Sequence, residues 1–228
     1  MPIKDFITGF TNLVYPNVCP GCSSILSNYN EVICITCWSN LPKTYQYKDT
    51  NNHTAKLFWG RYPLEHAFAT FQFSKKSKLQ NIVHDFKYRG NKEIGRVLGV
   101  EVGKEVILSG LKIDVVIPVP LHPKKLKLRG YNQSFFIALG ISQAINAPLD
   151  DTTLTRKVNT PSQTKKTKYE RWKNVGEIFA LKNPNQWKNK HILLVDDVIT
   201  TGATIEGCCI ALSAIEGIKI SVVALASA

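Results

Sequence analysis

Two periodicities of apolar residues divide this chain. Short continuous runs, HAFATFQF at 66–73, IDVVIPVP at 113–120, EIFAL at 177–181, HILLVD at 191–196 and KISVVAL at 219–225, predict strands buried on both faces. Between them, SKLQNIVHDFKYRG, KEIGRVLGVEVGKEVIL and SFFIALGISQAINA carry apolar residues at helical intervals, among them Leu79, Ile82, Val83 and Phe86, then Ile94, Val97 and Leu98. A further helix is expected from about Ala203 to Ile215. Strands that alternate with helices imply an α/β fold, a mostly parallel sheet flanked by helices, with ligands bound beyond the carboxyl ends of the strands.

Ahead of this pattern the chain changes character. Ile3, Phe6, Ile7, Phe10, Leu13 and Val14 form an amphipathic start, and VCPGC and VICITCW follow, placing Cys19, Cys22, Cys34 and Cys37 in two CxxC pairs separated by eleven residues. A CxxC with a turn inside points two thiolates at one spot, so two such knuckles can close a tetrahedral site for structural Zn2+. Such a site supplies roughly 10–16 kcal/mol of apparent folding free energy, which a lobe this small can hardly obtain from burial. The competing explanation is four thiols left from a lost or redox-active site. Cys208 and Cys209, on a helix with buried-face spacing, read as small hydrophobes in the core. The polar, turn-rich PKTYQYKDTNNHTAKLF then reads as a linker or excursion. The expected division is 1–45 for an N-terminal helix and four-cysteine zinc-ribbon lobe, 46–65 for the linker, and 66–228 for the α/β domain.

Composition narrows the partners. With 29 Lys and Arg against 17 Asp and Glu, the formal net charge is +12, which favours an anionic partner: a phosphorylated small molecule, nucleic acid or an acidic surface. No apolar run reaches the roughly 18 residues of a membrane span, and the amphipathic start lacks a basic leader and cleavage site, so a cytoplasmic protein with no membrane span is expected. The sequences GxxxxGK[ST], GxGxxG and GxSxG are absent.

The stretch LLVDDVITTGAT at 193–204 carries the chemistry. Asp196 and Asp197 follow an apolar strand directly, and Thr200, Thr201, Gly202, Ala203 and Thr204 form an uncharged loop opening a helix. Backbone N–H groups at a helix start can cradle an anion, Gly202 permits its close approach, and the threonine hydroxyls add donors. The acids can accept hydrogen bonds from sugar hydroxyls, so a 5-phosphorylated ribose suits both halves of the motif.

ILLVDDVITTGAT resembles the phosphoribosyl pyrophosphate motif of type I phosphoribosyltransferases. With the four-cysteine lobe in front, and with HDFKYRGNKEIG, VIPVPLHPKKLKLRGYNQS and RKVNTPSQTKKTKYERWKNV in the same order, nearly the whole chain resembles the ComF family. The resemblance implies a type I phosphoribosyltransferase-like sheet over 66–228. It implies that Asp196 and Asp197 hold the ribose 2- and 3-hydroxyls and that segment 200–204 holds the 5-phosphate. The loop from Leu121 to Gln133 would be the pyrophosphate loop, with His122, Arg129, Asn132 and Gln133 as donors. The stretch 156–174 would be a basic lid that closes over the site, with Lys166 and Arg171 joining Arg129 and the two acids in catalysis. In related enzymes a divalent metal, usually Mg2+, bridges pyrophosphate and ribose oxygens. Oxopurine-salvaging relatives carry an acid where this chain has Thr200, which argues against hypoxanthine or guanine as acceptor.

Two further functions stay open beside a phosphoribosyltransferase. The ComF association with DNA uptake in natural transformation implies a single-stranded DNA-binding accessory factor, acting with or without a DNA-uptake helicase. Lys165, Lys166, Lys168, Arg171 and Lys173, interleaved with Tyr169 and Trp172, suit such a strand, although a solvated loop would look the same. A sensor of phosphoribosyl pyrophosphate or a nucleotide is the other.

Overall fold

The computed structural model describes residues 16–28, 31–157 and 178–228. Its sheet holds four parallel strands, β1 (His66–Gln72), β2 (Val115–Pro118), β5 (His191–Ile199) and β6 (Lys219–Ser227), in the order β1-β6-β5-β2. Two short strands, β3 (Leu154–Arg156) and β4 (Phe179–Leu181), pair antiparallel in a ladder of their own. The helices are the short α1 (Ile35–Ser39) and α2 (His53–Lys56), then α3 (Lys78–Tyr88), α4 (Lys92–Leu108), α5 (Pro123–Arg129), α6 (Gln133–Ile145) and α7 (Ala203–Leu212). Among the described residues no helix is long and apolar enough to cross a membrane.

Alternation along the strands explains why the sheet is covered twice. Leu193 and Val195 of β5 enter one core with side chains of α3, α4 and α6, while Ile192 and Leu194 enter a second with Phe58, Ile205 and Leu212. All four strand residues are completely buried, each contributing about 1.5–3 kcal/mol relative to exposure. This is the α/β architecture expected from the continuous apolar runs.

Two expectations are corrected. EIFAL does not join the parallel sheet, because only Phe179 of β4 is fully buried and its partner β3 is a three-residue strand that no apolar run announces. The stretch 121–133 is not simply a loop. His122 caps α5 by accepting from the Lys124 N–H at 3.1 Å, Pro123 opens the helix, and Gly130, at φ 77°, closes it. The segment 46–65 is packed onto the domain: the buried Asn52 donates to the Ala67 carbonyl at 2.7 Å and accepts from Ala55 N–H, and Phe58 is 2% exposed.

Helices α4 and α6 approach so closely that glycine is required. A methyl group at Gly99 would overlap the Ile137 carbonyl oxygen, one at Gly140 would overlap the Arg96 carbonyl oxygen, and one at Gly103 would stand 2.6 Å from Ala144 Cβ. An alanine in an exposed helix gains about 1 kcal/mol over glycine. Here the sign reverses: Gly99→Ala and Gly140→Ala are each expected to destabilise by about 3 kcal/mol through overpacking against backbone, checked by urea denaturation.

Candidate functional site

Strand β5 runs past its neighbour. Pro118, the last residue of β2, pairs with Val195, whereas β6 continues to pair through Ile199. Asp196 and Asp197 therefore stand inside β5 and not after it, at the point where the β2 side of the strand becomes open. A cleft of about 420 Å³ lies there, lined by Asp196, Asp197, Val198, Thr200 and Thr204, by Val119, Pro120 and Leu121 after β2, and by Lys125, Arg129, Gln133 and Ser134. Phe73, Lys87 and Arg156 complete it. Four cations thus share the cleft with two acids.

The acids are held individually. Asp196 Oδ1 accepts from Ser134 Oγ at 3.1 Å and from the Asp197 N–H at 2.8 Å. Asp197 accepts from the Val198 N–H at 2.6 Å through Oδ1 and pairs with Lys87 Nζ at 2.6 Å through Oδ2. Desolvation and the neighbouring Asp197 charge push the Asp196 carboxyl up to about 7, against the pull of its hydrogen bonds and of Lys87.

Opposite charges line the rest of the wall. Arg129 donates to Gln133 Oε1 at 2.8 Å and lies 5.6 Å over the Tyr88 ring, and Arg156 lies 5.4 Å over Phe179. The buried Nε of each has no hydrogen-bond partner among the described residues. The Thr/Gly loop is shaped by Gly202, whose φ of 76° is left-handed and whose missing Cβ leaves room for the Phe58 ring. Gly202 caps α7 without a side chain, so no side chain covers the first-turn N–H groups. Arg61 braces the loop, donating to the Thr201 carbonyl at 2.9 Å and standing 3.8 Å from Glu206.

Of the residues expected in the site, the structure gathers Asp196, Asp197, Thr200, Thr204, Leu121, Arg129 and Gln133 around the cleft. Thr201, Gly202 and Ala203 line a smaller adjoining niche with Asp196. His122 and Asn132 line neither; both serve as helix caps, Asn132 also donating to the Val119 carbonyl at 3.0 Å. Lys166 and Arg171, with most of the 156–174 stretch, lie outside the described residues. Sequence reasoning missed Lys87 and Ser134. The available signals were a lysine off the apolar face of HDFKYRG and a serine just inside the helix capped by Asn132.

The four amino-terminal cysteines form a second cluster. Their sulfurs all lie within 4.8 Å of one another, and Cys22 Sγ is 3.7 Å from Cys34 Sγ. A tetrahedron with metal–sulfur bonds of about 2.3 Å has edges of about 3.8 Å, so the donor set fits a metal ion. The N–H groups of Cys34 and Cys37 point at Cys19 and Cys34 sulfurs, each at 3.4 Å. Hydrogen bonding with Ser24 pulls the Cys22 thiol down to about 6, whereas burial pushes Cys37 upward.

The family described as "Phosphoribosyl transferase domain" matches residues 132–228. "DNA utilization protein YhgH" of Salmonella typhimurium is 31% identical over 132 residues, covering 56% of this chain and 57% of that protein. "Competence protein ComFC" of Bacillus subtilis is 29% identical over 136 residues, 58% of this chain and 52% of the relative. The chain is thus similar, over these stretches, to a phosphoribosyl transferase domain and to proteins named for competence and DNA utilization. The four-cysteine cluster stands ahead of the matched region, and the chain spans little more than half the length of these curated relatives. Among solved structures, glutamine phosphoribosylpyrophosphate amidotransferase from B. subtilis is 16% identical with a TM-score of 0.43, over 61% of this chain and 30% of that one.

The raised Asp196 carboxyl sets a pH dependence. The folded chain holds this proton more tightly than the unfolded chain, so stability from this group falls as pH rises from about 4, the unfolded value, through about 7. Asp196→Asn removes that slope. Melting temperatures at pH 5 and pH 8 are expected to differ less in the variant than in the wild type.

Proposed function

We propose that the chain binds phosphoribosyl pyrophosphate in the cleft beyond β5 and transfers its phosphoribosyl group, with inversion at C1, to an acceptor. One observation carries this reading: a paired acid, a helix N-terminus without a side-chain cap and a set of cationic side chains converge on one cleft at the carboxyl ends of parallel strands. Asp196 and Asp197 accept from the ribose hydroxyls, and the 200–204 loop receives the 5-phosphate through backbone N–H groups. Arg129, Arg156 and Lys125 face the diphosphate that leaves as the C1–O bond breaks. Their charge stabilises the departing oxygens while C1 gains oxocarbenium character, and the acceptor's lone pair forms the new bond. Mg2+, when bound, neutralises the diphosphate. The four-cysteine cluster holds Zn2+ as a structural ion.

Calorimetric titration of phosphoribosyl pyrophosphate with Mg2+ is expected to show binding that the Asp196→Asn/Asp197→Asn double variant loses. Absence of binding at millimolar ligand would refute the reading. A zinc assay is expected to give one ion per chain, abolished by Cys19→Ser/Cys37→Ser.

The names of the relatives favour a second reading, a single-stranded DNA-binding accessory factor in DNA uptake. Leu128, 77% exposed among Lys124, Lys125 and Lys127, gives α5 a basic face with an apolar tip. On this reading log K for single-stranded DNA falls with log salt by roughly 0.7 per phosphate contact.

A further inference from the structure

Two carboxylates on adjacent strand positions, both partly removed from water, repel each other and lose solvation together. Asp196 faces Asp197 on its own strand, Lys87 from α3, Lys125 and Arg129 from α5, Arg156 from β3 and Cys208 from α7. Among the described residues only Lys87 of these cations forms an ion pair with either acid, with 16% and 17% of the Lys87 and Asp197 side chains exposed. The other three line the cleft without pairing to the acids.

The position of Lys87 is built into the core. It occupies the last turn of α3, whose Leu79, Ile82, Val83 and Phe86 are buried. The Phe86 carbonyl accepts from the Tyr131 hydroxyl, and the Phe86 ring fills the space over Gly95. The turn that carries Lys87 is thus fixed by packing before any ligand arrives.

Building on the phosphoribosyl reading, we infer that Lys87 is a positioning residue for the sugar: it holds the Asp197 carboxylate and offsets the charge of the acid pair, so that both acids accept ribose hydroxyls. The hydrogen bonds leave room for this role. Asp196 directs both of its bonds through Oδ1, leaving Oδ2 without a partner among the described residues, and Asp197 Oδ1 is pinned by the Val198 N–H. Lys87 also lowers the proton affinity of Asp196. Without that cation Asp196 moves toward its protonated form near neutrality, which donates where the sugar needs an acceptor.

The test is titration of phosphoribosyl pyrophosphate with Mg2+ between pH 6 and 8.5 into wild type, Lys87→Met, Lys87→Arg, Asp197→Asn and the Lys87→Met/Asp197→Asn double variant. Lys87→Met is expected to weaken binding on the order of tenfold to a hundredfold and to move the binding midpoint to higher pH. Lys87→Arg is expected to recover most of the loss, and Lys87→Met in the Asp197→Asn background to add less than about twofold. Unchanged or tighter binding by Lys87→Met would overturn the inference, since the lysine would then be a bystander or a plug competing with the sugar. A ligand-independent arm, carbon-13 NMR titration of the Asp196 carboxyl, separates this from the underlying reading. If wild type binds nothing, the phosphoribosyl reading falls, while an Asp196 titration shifted upward in Lys87→Met supports the lysine's role and an unshifted one overturns it.

Discussion

The backbone contact between α4 and α6 is the constraint on which the rest of the molecule depends. Gly99 and Gly140 face each other's helices where no side chain fits, so the two helices meet through carbonyls and α-carbons. That contact fixes where α6 begins, and α6 begins with Gln133 and Ser134 at the cleft. On the same helix as Gly99, Gly95 receives the Phe86 ring and so seats the end of α3. Gln133 and Ser134 of α6 and Lys87 of α3 reach the cleft from helices that both pack on α4, α6 at Gly99, Gly103, Gly140 and Ala144 and α3 at Gly95.

The cleft itself comes from unequal strand lengths. β5 pairs on both sides only as far as Val195, and the next two residues keep strand geometry with β6 alone. A strand that continues beyond its neighbour offers rigid side chains to an opening, which a loop of the same sequence would hold less firmly. Rigidity matters because the acids are surrounded by charges of the opposite sign at modest separations. Small displacements there would let an arginine or a second lysine collapse onto them.

What the chain revealed in advance was what is local. The period of KEIGRVLGVEVGKEVIL marks α4 from Lys92 to Leu108, and the CxxC spacing brings four sulfurs together because each pair closes its own turn. Asp196 and Asp197 were legible as site residues, yet the strand was expected to stop at them, since acids usually end apolar runs. α5 was hidden because PKKLKLR has no buried stripe, and His122 and Asn132, read as ligand donors, spend their side chains on helix starts. Lys87 and Ser134 reach the acids across 110 and 62 positions of sequence, a juxtaposition that only the packing of α3 and α6 creates.

Among the described residues the cysteine lobe shares its apolar interior with the α/β domain. Cys19, Leu26, Ile33, Cys37 and Leu41 belong to the same apolar cluster as Phe68, Leu79 and Ile82, and residues 42–44 lie along the outer edge of β1, where the Gln72 N–H donates to the Pro42 carbonyl at 2.8 Å. Lys43 reaches the buried Glu101 of α4 from that edge. Lobe and sheet are thus joined through one apolar cluster and one strand edge. Chain cut away before residue 45 would bare an aromatic and aliphatic surface and the outer edge of β1, the combination that promotes sheet-to-sheet aggregation.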